Sequence, residues 1–202
     1  VLAPMFIAMS LSFGTAVTLL AMMLVSRLGQ APVNHEILTR LRILLAYFVI
    51  AVAFFAAIDH LTRLYAAGHT GVERFLLVEG GIYPLLFWVG QGLLGTVIPV
   101  ILLITPRFAG VSQTVVASLL VLLGAFAQLY VLIIGGQAFP MDIFPGYSEK
   151  STYYDGVVAG YAPSLPELAL GLGGIGLATL IALLAVRVLP FLPQGSVKQP
   201  AG

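Results

Sequence analysis

Five apolar segments, each long enough to cross a lipid bilayer, constrain the fold of this 202-residue chain more than any other feature. A bilayer core of roughly 30 Å takes about 20 helical residues, and only a helix satisfies its own backbone hydrogen bonds in lipid. We therefore expect an all-α fold, a polytopic transmembrane helix bundle with about five spanning helices, occupying residues 1–202 as one bundle. The predicted spans are residues 2–24, 43–64, 82–105, 114–138 and 168–192.

Composition narrows the possible functions. Hydrophobic residues make up 60% of the chain and charged residues 8%, and a net charge of +1 provides no field that would attract nucleic acid. The chain has no cysteine, which excludes disulfides, iron–sulfur clusters and thiolate metal sites held by this chain alone. The apolar sequence starts at Val1 without a basic leader, so we expect a preceding segment and a larger membrane protein.

Charge asymmetry predicts the orientation. The first loop, the third loop and the carboxyl end hold six basic residues, and the second and fourth loops hold three. Seven of the eight acidic residues lie on the side with fewer basic residues. Because loops rich in Lys and Arg stay cytoplasmic, we expect loops two and four outside, in the periplasm of a Gram-negative source.

Small residues at helical spacing predict packing faces in the last two spans. The fourth span carries such a stripe, and the fifth span carries a second one. Ser164 and Glu167 form a capping-box pattern before the fifth span, so Glu167 is interpreted as a helix cap rather than a catalyst. The stripes are Ala117, Gly124, Gln128 and Gly135, and Gly171, Gly174, Ala178, Ala182 and Ala185.

Asp59, His60 and Arg63 form an unusual polar group at the outer end of the second span. Ionisable residues at such depth are costly and mark proton or substrate paths, although an interfacial ion pair beside a helix-end histidine explains them equally well. Asp59 and Arg63 are four residues apart and can pair. His60 continues a stripe through Ala46, Ile50, Ala53 and Ala57 that we expect to face another helix.

Gln91 in the third span follows Tyr83 and Phe87 at four-residue steps, with Trp88 beside them. Its amide can hydrogen-bond a quinone carbonyl or a neighbouring helix. Together with Asp59, His60 and Arg63, Gln91 makes the candidate set for quinone contact or proton transfer.

Loop four, residues 139–163, is long for a connection between packed helices and rich in aromatic residues. An ordered outer loop of this kind suits docking of a partner protein, and an aromatic belt at the membrane interface is the alternative. The docking candidates are Phe144, Tyr147, Tyr153 and Tyr154.

Two cofactor patterns are rejected. Residues 171–176 match a Gly-rich dinucleotide fingerprint, but they lie inside a span and not between a strand and a helix. His60 is the one histidine in or near a span, which argues against haem held between facing helices. We expect no metal site.

Several short motifs resemble one family. Gly135-Gly-Gln-Ala-Phe-Pro140, Phe144-Pro-Gly-Tyr147 and Tyr161-Ala-Pro-Ser164, followed by Pro166-Glu167, are similar to the polysulfide-reductase membrane subunits of the NrfD/PsrC family. Within that family the likeness is strongest to the DsrP group, the membrane subunits of the sulfite-reduction-associated complex. The likeness spans most of the chain.

The resemblance implies a role in sulfur metabolism, as an integral membrane subunit of a respiratory oxidoreductase complex. Such a subunit binds no cofactor itself and exchanges electrons between menaquinone or ubiquinone and a periplasmic iron–sulfur (ferredoxin-like) subunit. It would be a multi-pass protein of the bacterial inner (cytoplasmic) membrane, either non-catalytic or quinone-reactive. Family members are about twice this length, so the chain would be the carboxyl-terminal half, and the family's quinone site would lie in the other half.

Two other functions stay open. Half of a transporter or channel would have spans broken near mid-bilayer, and Gly92, Gly95 and Pro99 in the third span are candidates for such a break. A structural anchor would depend on packing residues alone.

Overall fold

The computed structural model describes residues 1–27, 34–66, 68, 70–108, 110–140, 158 and 160–188. Five helices in this part are long and apolar enough to cross a membrane, which confirms the predicted all-α bundle. A short helix α3 lies between the second and third of them. The helices are α1 (Leu2–Arg27), α2 (His35–Tyr65), α3 (Thr70–Arg74), α4 (Ile82–Ile104), α5 (Val111–Ala138) and α6 (Leu165–Val188).

Helix α2 begins at His35, ahead of the predicted Ile43, because Asn34 caps it. The Asn34 side chain accepts hydrogen bonds from the backbone N–H groups of Glu36 and Ile37 at 2.9 and 3.5 Å. As a consequence, Arg42, one of the basic residues counted in the first loop, lies within the helix and is 4% exposed. Its guanidinium binds the carbonyl oxygens that end α4.

The described residues form two compact units, one of which holds α1 to Leu24 together with α2 to α5. Where α2 begins and α4 ends, this unit holds an apolar cluster that includes Leu19, Leu45 and Leu103. Toward the other end, Met5, Met9 and their neighbours form a second cluster. Burial of these faces between helices is the packing that a membrane bundle requires.

Helices α4 and α5 approach closely at Gly95 and Gly124. A Cβ atom added to Gly124 would lie 2.2 Å from the Cα of Gly95, and one added to Gly95 would lie 2.6 Å from the Cα of Gly124. Ala117 and Gln128, on the same stripe of α5, are also buried. The small residues of α5 thus form a packing face, as the sequence predicts.

Helix α4 is continuous. Its middle, Leu86–Val97, is π-helical, and Ile98–Ile104 is α-helical. Wide π turns are often found at functional sites. The chain passes Gly92, Gly95 and Pro99 without leaving the helix, so α4 lacks the break that the transporter interpretation predicts.

The second unit contains α6. The carboxylate of Glu167 accepts the backbone N–H of Ser164 at 2.7 Å and the hydroxyl of Tyr161 at 3.1 Å, so Glu167 caps the helix start, as predicted. A Cβ atom added to Gly171 or Gly174 has no atom within 4 Å among the described residues, and the packing role of this stripe stays a prediction.

Candidate functional site

A hydrogen-bonded His–Glu contact and an ion pair meet at the end of α2. His60 Nδ1 lies 2.6 Å from Oε2 of Glu73, and Arg63 Nε lies 3.0 Å from Oδ2 of Asp59. Arg63 Nε also lies 3.8 Å from Oε1 of Glu73, which connects the two pairs. We call these four residues the polar cluster.

Glu73 is the residue that sequence reasoning missed, because it was counted as one of the acidic residues of an outer loop. It is 0% exposed, and its Oε1 atom has no hydrogen-bond partner among the described residues. Burying a carboxylate is costly unless cationic or hydrogen-bonding groups surround it. Thr70 and Glu73 match a capping box and could have predicted α3, but this pattern says nothing about burial against α2.

The polar cluster lies on two faces of α2. Asp59 continues the buried face through Val52 and Ala56 and is 7% exposed. His60 lies on the adjacent face with Ala53 and Ala57, which borders an open groove. His60 faces other helices as expected, since its ring contacts Phe87 of α4 and its Nδ1 atom contacts Glu73 of α3, although Ala57 on the same stripe is exposed.

The groove has a volume of about 440 Å³ and runs between α2 and α4. Its wall is apolar, with Phe87 and Trp88 on α4, and the His60 ring meets Phe87 edge to face with centroids 4.7 Å apart. Trp88 is 60% exposed and donates its indole N–H to the Leu77 carbonyl at 3.0 Å. The groove is open at the surface of this unit.

Gln91 is brought to the polar cluster. The Gln91 side chain is 8% exposed and lines the groove together with His60. Both residues also line a separate void of about 10 Å³, which is about the size of one water. Asp59 and Arg63 line the same void. All four predicted candidates thus lie around one site, with Glu73 as an additional member.

A second void of about 10 Å³ lies deeper in the bundle. Gln91 and Gln128 line both voids, and Ser12 and Thr96 line the deeper one. Gln128 Nε2 lies 3.9 Å from Sδ of Met5, a weak contact that joins α5 to α1.

The predicted docking residues Phe144, Tyr147, Tyr153 and Tyr154 lie outside the described residues. The described part of the chain contains no group of three or more His, Cys, Asp or Glu side chains that could hold a metal ion. The chemical groups at the site are the acid–base pair His60 and Glu73, the Gln91 amide, and the aromatic side chains of the groove wall.

The chain is similar to one protein family and to membrane subunits of two oxidoreductases. The family described as polysulphide reductase, NrfD, matches residues 1–141. The Hdr-like menaquinol oxidoreductase integral membrane subunit of Archaeoglobus fulgidus is 26% identical, over 97% of this chain and 50% of its own length. A putative dimethyl sulfoxide reductase membrane subunit of Halobacterium salinarum is 28% identical, over 93% of this chain and 45% of its own length.

The chain thus spans about half the length of the curated relatives it matches. No solved structure matches it significantly.

Proposed function

The chain belongs to the NrfD family of polysulphide reductases, and from this we propose that it exchanges electrons between the membrane quinone pool and an iron–sulfur partner subunit. It is a multi-pass membrane protein, and one relative is named a menaquinol oxidoreductase membrane subunit. Menaquinone or ubiquinone is the proposed substrate. The bacterial inner (cytoplasmic) membrane is the proposed location.

The groove between α2 and α4 is the observation that carries this proposal. A quinone has a flat ring with two opposed oxygens and a long apolar tail. Phe87 and Trp88 offer aromatic surface to the ring. Leu61 and Val97 line the groove with exposed apolar side chains, which suit contact with an apolar tail. Membrane quinones would enter from the side, without crossing water.

Two polar side chains at the groove suit the quinone oxygens. Glu73 engages Nδ1 of His60, which leaves Nε2 as the ring nitrogen for a quinol hydroxyl. Gln91 can donate its amide N–H to a quinone oxygen. Glu73 is fully buried and lies beside Arg63. Its contact with Nδ1 holds the His60 imidazole in place, and its negative charge can stabilise the imidazolium that forms when His60 takes up a proton.

The proposed reaction is quinol oxidation or its reverse. A quinol that loses two electrons and two protons becomes the quinone. The protons leave the hydroxyl oxygens through His60 and its Glu73 partner, and the two electrons pass singly to an oxidised iron–sulfur cluster of the partner subunit. In the reverse direction, the quinone takes two electrons, one at a time, from the reduced iron–sulfur cluster and two protons, and becomes the quinol.

The partner is proposed to be a periplasmic, ferredoxin-like iron–sulfur subunit within a larger complex. The outer loop with Phe144, Tyr147, Tyr153 and Tyr154 is the proposed docking segment, because its aromatic residues suit a protein interface. The charge asymmetry of the loops supports its placement on the periplasmic side.

The test is quinol-driven reduction of the iron–sulfur clusters in the purified complex, followed optically. His60→Asn is expected to slow reduction at least tenfold, because the substituted amide cannot accept a proton. His35→Asn, at the opposite end of α2 and exposed, serves as the matched control. Equal rates for the two variants would contradict the proposal, as would a purified protein with no iron–sulfur partner.

A further inference from the structure

The groove between α2 and α4 is longer than a quinone ring. On α2 its lining runs from Ala53 to Leu64, eleven residues or on the order of 16 Å along the helix. His60 lies between these limits, seven residues after Ala53 and four before Leu64. A ring placed against His60 therefore leaves a length of groove on each side, and the tail of a quinone would follow one of the two.

The polar contacts of the groove are concentrated beside His60. Among the residues that line it, His60, Trp88, Gln91 and Thr96 have polar side-chain atoms. The Trp88 indole donates to the Leu77 carbonyl at 3.0 Å, and the Thr96 hydroxyl donates to the Gln91 carbonyl at 2.9 Å, so both donors are already engaged. His60 and Gln91 are thus the side chains that suit the ring oxygens, and the groove on either side of them suits an apolar tail.

The side of the groove toward Ala53 is long and apolar. Arg42, near the start of α2, donates to the Leu103 carbonyl near the end of α4, so the two helices run in opposite directions and Val97 lies toward Ala53. From His60 to Ala53 the groove extends about 10 Å, which is the length of about two isoprene units. We call this part the Ala53 side, and its lining includes Ala53, Ala57, Gly92 and Val97.

The side toward Leu64 is shorter and has bulkier walls. From His60 to Leu64 it extends only about 6 Å along α2. The indole of Trp88, bonded to Leu77, joins α4 to the segment that follows α3 on this side. The lining here consists of larger side chains, Leu61, Leu64 and Leu77. An extended tail therefore has more room on the Ala53 side.

Small residues create the depth of the Ala53 side. Ala53 is half-buried and Ala57 is exposed, and neither side chain extends past its Cβ atom. Beyond its own helical turn, a Cβ atom added to Gly92 would meet one atom within 4 Å among the described residues, the Phe87 carbonyl oxygen at 3.4 Å, which is an ordinary contact. A larger side chain at Gly92 or at Ala53 would therefore occupy the groove itself.

We propose that the Ala53 side holds the first isoprene units of a quinone whose ring lies against His60 and Gln91, so that the site recognises the tail as well as the ring. This inference rests on the proposed function and adds the tail as a determinant of specificity. Because lipid is as apolar as the groove wall, the tail gains packing contacts rather than hydrophobic free energy when it enters. Recognition thus depends on shape, and a side chain that fills the Ala53 side excludes tailed quinones selectively.

The test compares two quinols as reductants of the iron–sulfur clusters in the purified complex, one with a long isoprenoid tail and one with the same ring and no tail. Ala53→Leu is expected to raise KM for the tailed quinol at least fivefold with little change in kcat, because the tail can no longer lie beside the bound ring. KM for the tail-less quinol should change less than twofold. Gly92→Leu is a second variant with the same expected result, and Gly14→Leu, at an exposed position of α1, is the matched control.

An unchanged KM for the tailed quinol in both groove variants would overturn the proposal, since the tail would then leave the groove beside His60. Equal increases for the two quinols would also overturn it, because the substitutions would then act on the ring. A lower KM for the tailed quinol would show that a phospholipid acyl chain occupies the Ala53 side instead. If neither quinol reduces the clusters of the native complex, the proposed function itself fails, so the two failures are distinguishable.

Discussion

His60 Nδ1 lies 2.6 Å from Oε2 of Glu73, a carboxylate with no exposed surface, and this contact joins α2 to the short helix α3. The contact holds the imidazole at the edge of the groove, against Phe87. A histidine that a carboxylate orients in this way can exchange a proton through its other ring nitrogen. The geometry makes Glu73 a positioning residue for His60.

Glu73→Gln is expected to lower quinol-driven cluster reduction about tenfold, corresponding to ~1.4 kcal/mol in the barrier, because a neutral amide stabilises imidazolium less. The measurement is the rate of cluster reduction by quinol in the purified complex. Glu79→Gln is the matched control, since Glu79 pairs with Arg74 and is exposed. A reduction rate unchanged in Glu73→Gln would contradict the assigned role.

The Asp59–Arg63 pair is expected to stabilise α2 more than the Glu36–Arg40 pair at the same spacing. Asp59 is buried, whereas both members of the second pair are exposed. A double-mutant cycle to alanine, measured by unfolding in detergent, should give a coupling of about 1 kcal/mol for the first pair and at most about 0.5 kcal/mol for the second. Equal couplings would show that burial of Asp59 adds nothing.

Gly124→Ala is expected to destabilise the packing of α4 on α5 by about 1–3 kcal/mol, because the added methyl group would lie 2.2 Å from the Cα of Gly95. The control is Gly14→Ala in α1, where an added Cβ meets no atom within 4 Å among the described residues. That change should be neutral or slightly stabilising. Thermal unfolding of the two variants in one detergent compares them directly.

Arg42→Met is expected to cost roughly 2–3 kcal/mol of stability. Arg42 Nη2 donates to the carbonyl oxygens of Leu102, Leu103 and Phe108 at 3.0, 3.3 and 2.9 Å, and its loss leaves those acceptors unpaired where α4 ends. Arg40→Met, two residues earlier and exposed, should cost under about 0.5 kcal/mol. Similar melting temperatures for the two variants would refute this role.

The five spans could be predicted because bilayer thickness sets a length and hydropathy that a single sequence displays directly. The packing face of α5 could also be predicted, since close helix contact requires small residues such as Gly124. Helix α2 extends ahead of the predicted span to His35, because its first turns are polar and a hydropathy criterion does not register them although they are helical.

The candidate site could be predicted only in part. Asp59, His60 and Arg63 stand out because they are charged within an apolar stretch. Glu73 does not stand out, because it lies in a polar segment where carboxylates are common, and its burial depends on how α3 packs against α2. The groove depends on the relative placement of α2 and α4, which neither sequence segment specifies alone.

Photoaffinity labelling with an azidoquinone in the intact complex tests the central claim most directly, since it asks whether a quinone occupies the groove of this chain. The account predicts label in the π-helical segment Leu86–Val97 of α4, at or beside Trp88, and its displacement by excess unmodified quinone. Displaceable label found only outside this chain, with Leu86–Val97 unmodified, would contradict it.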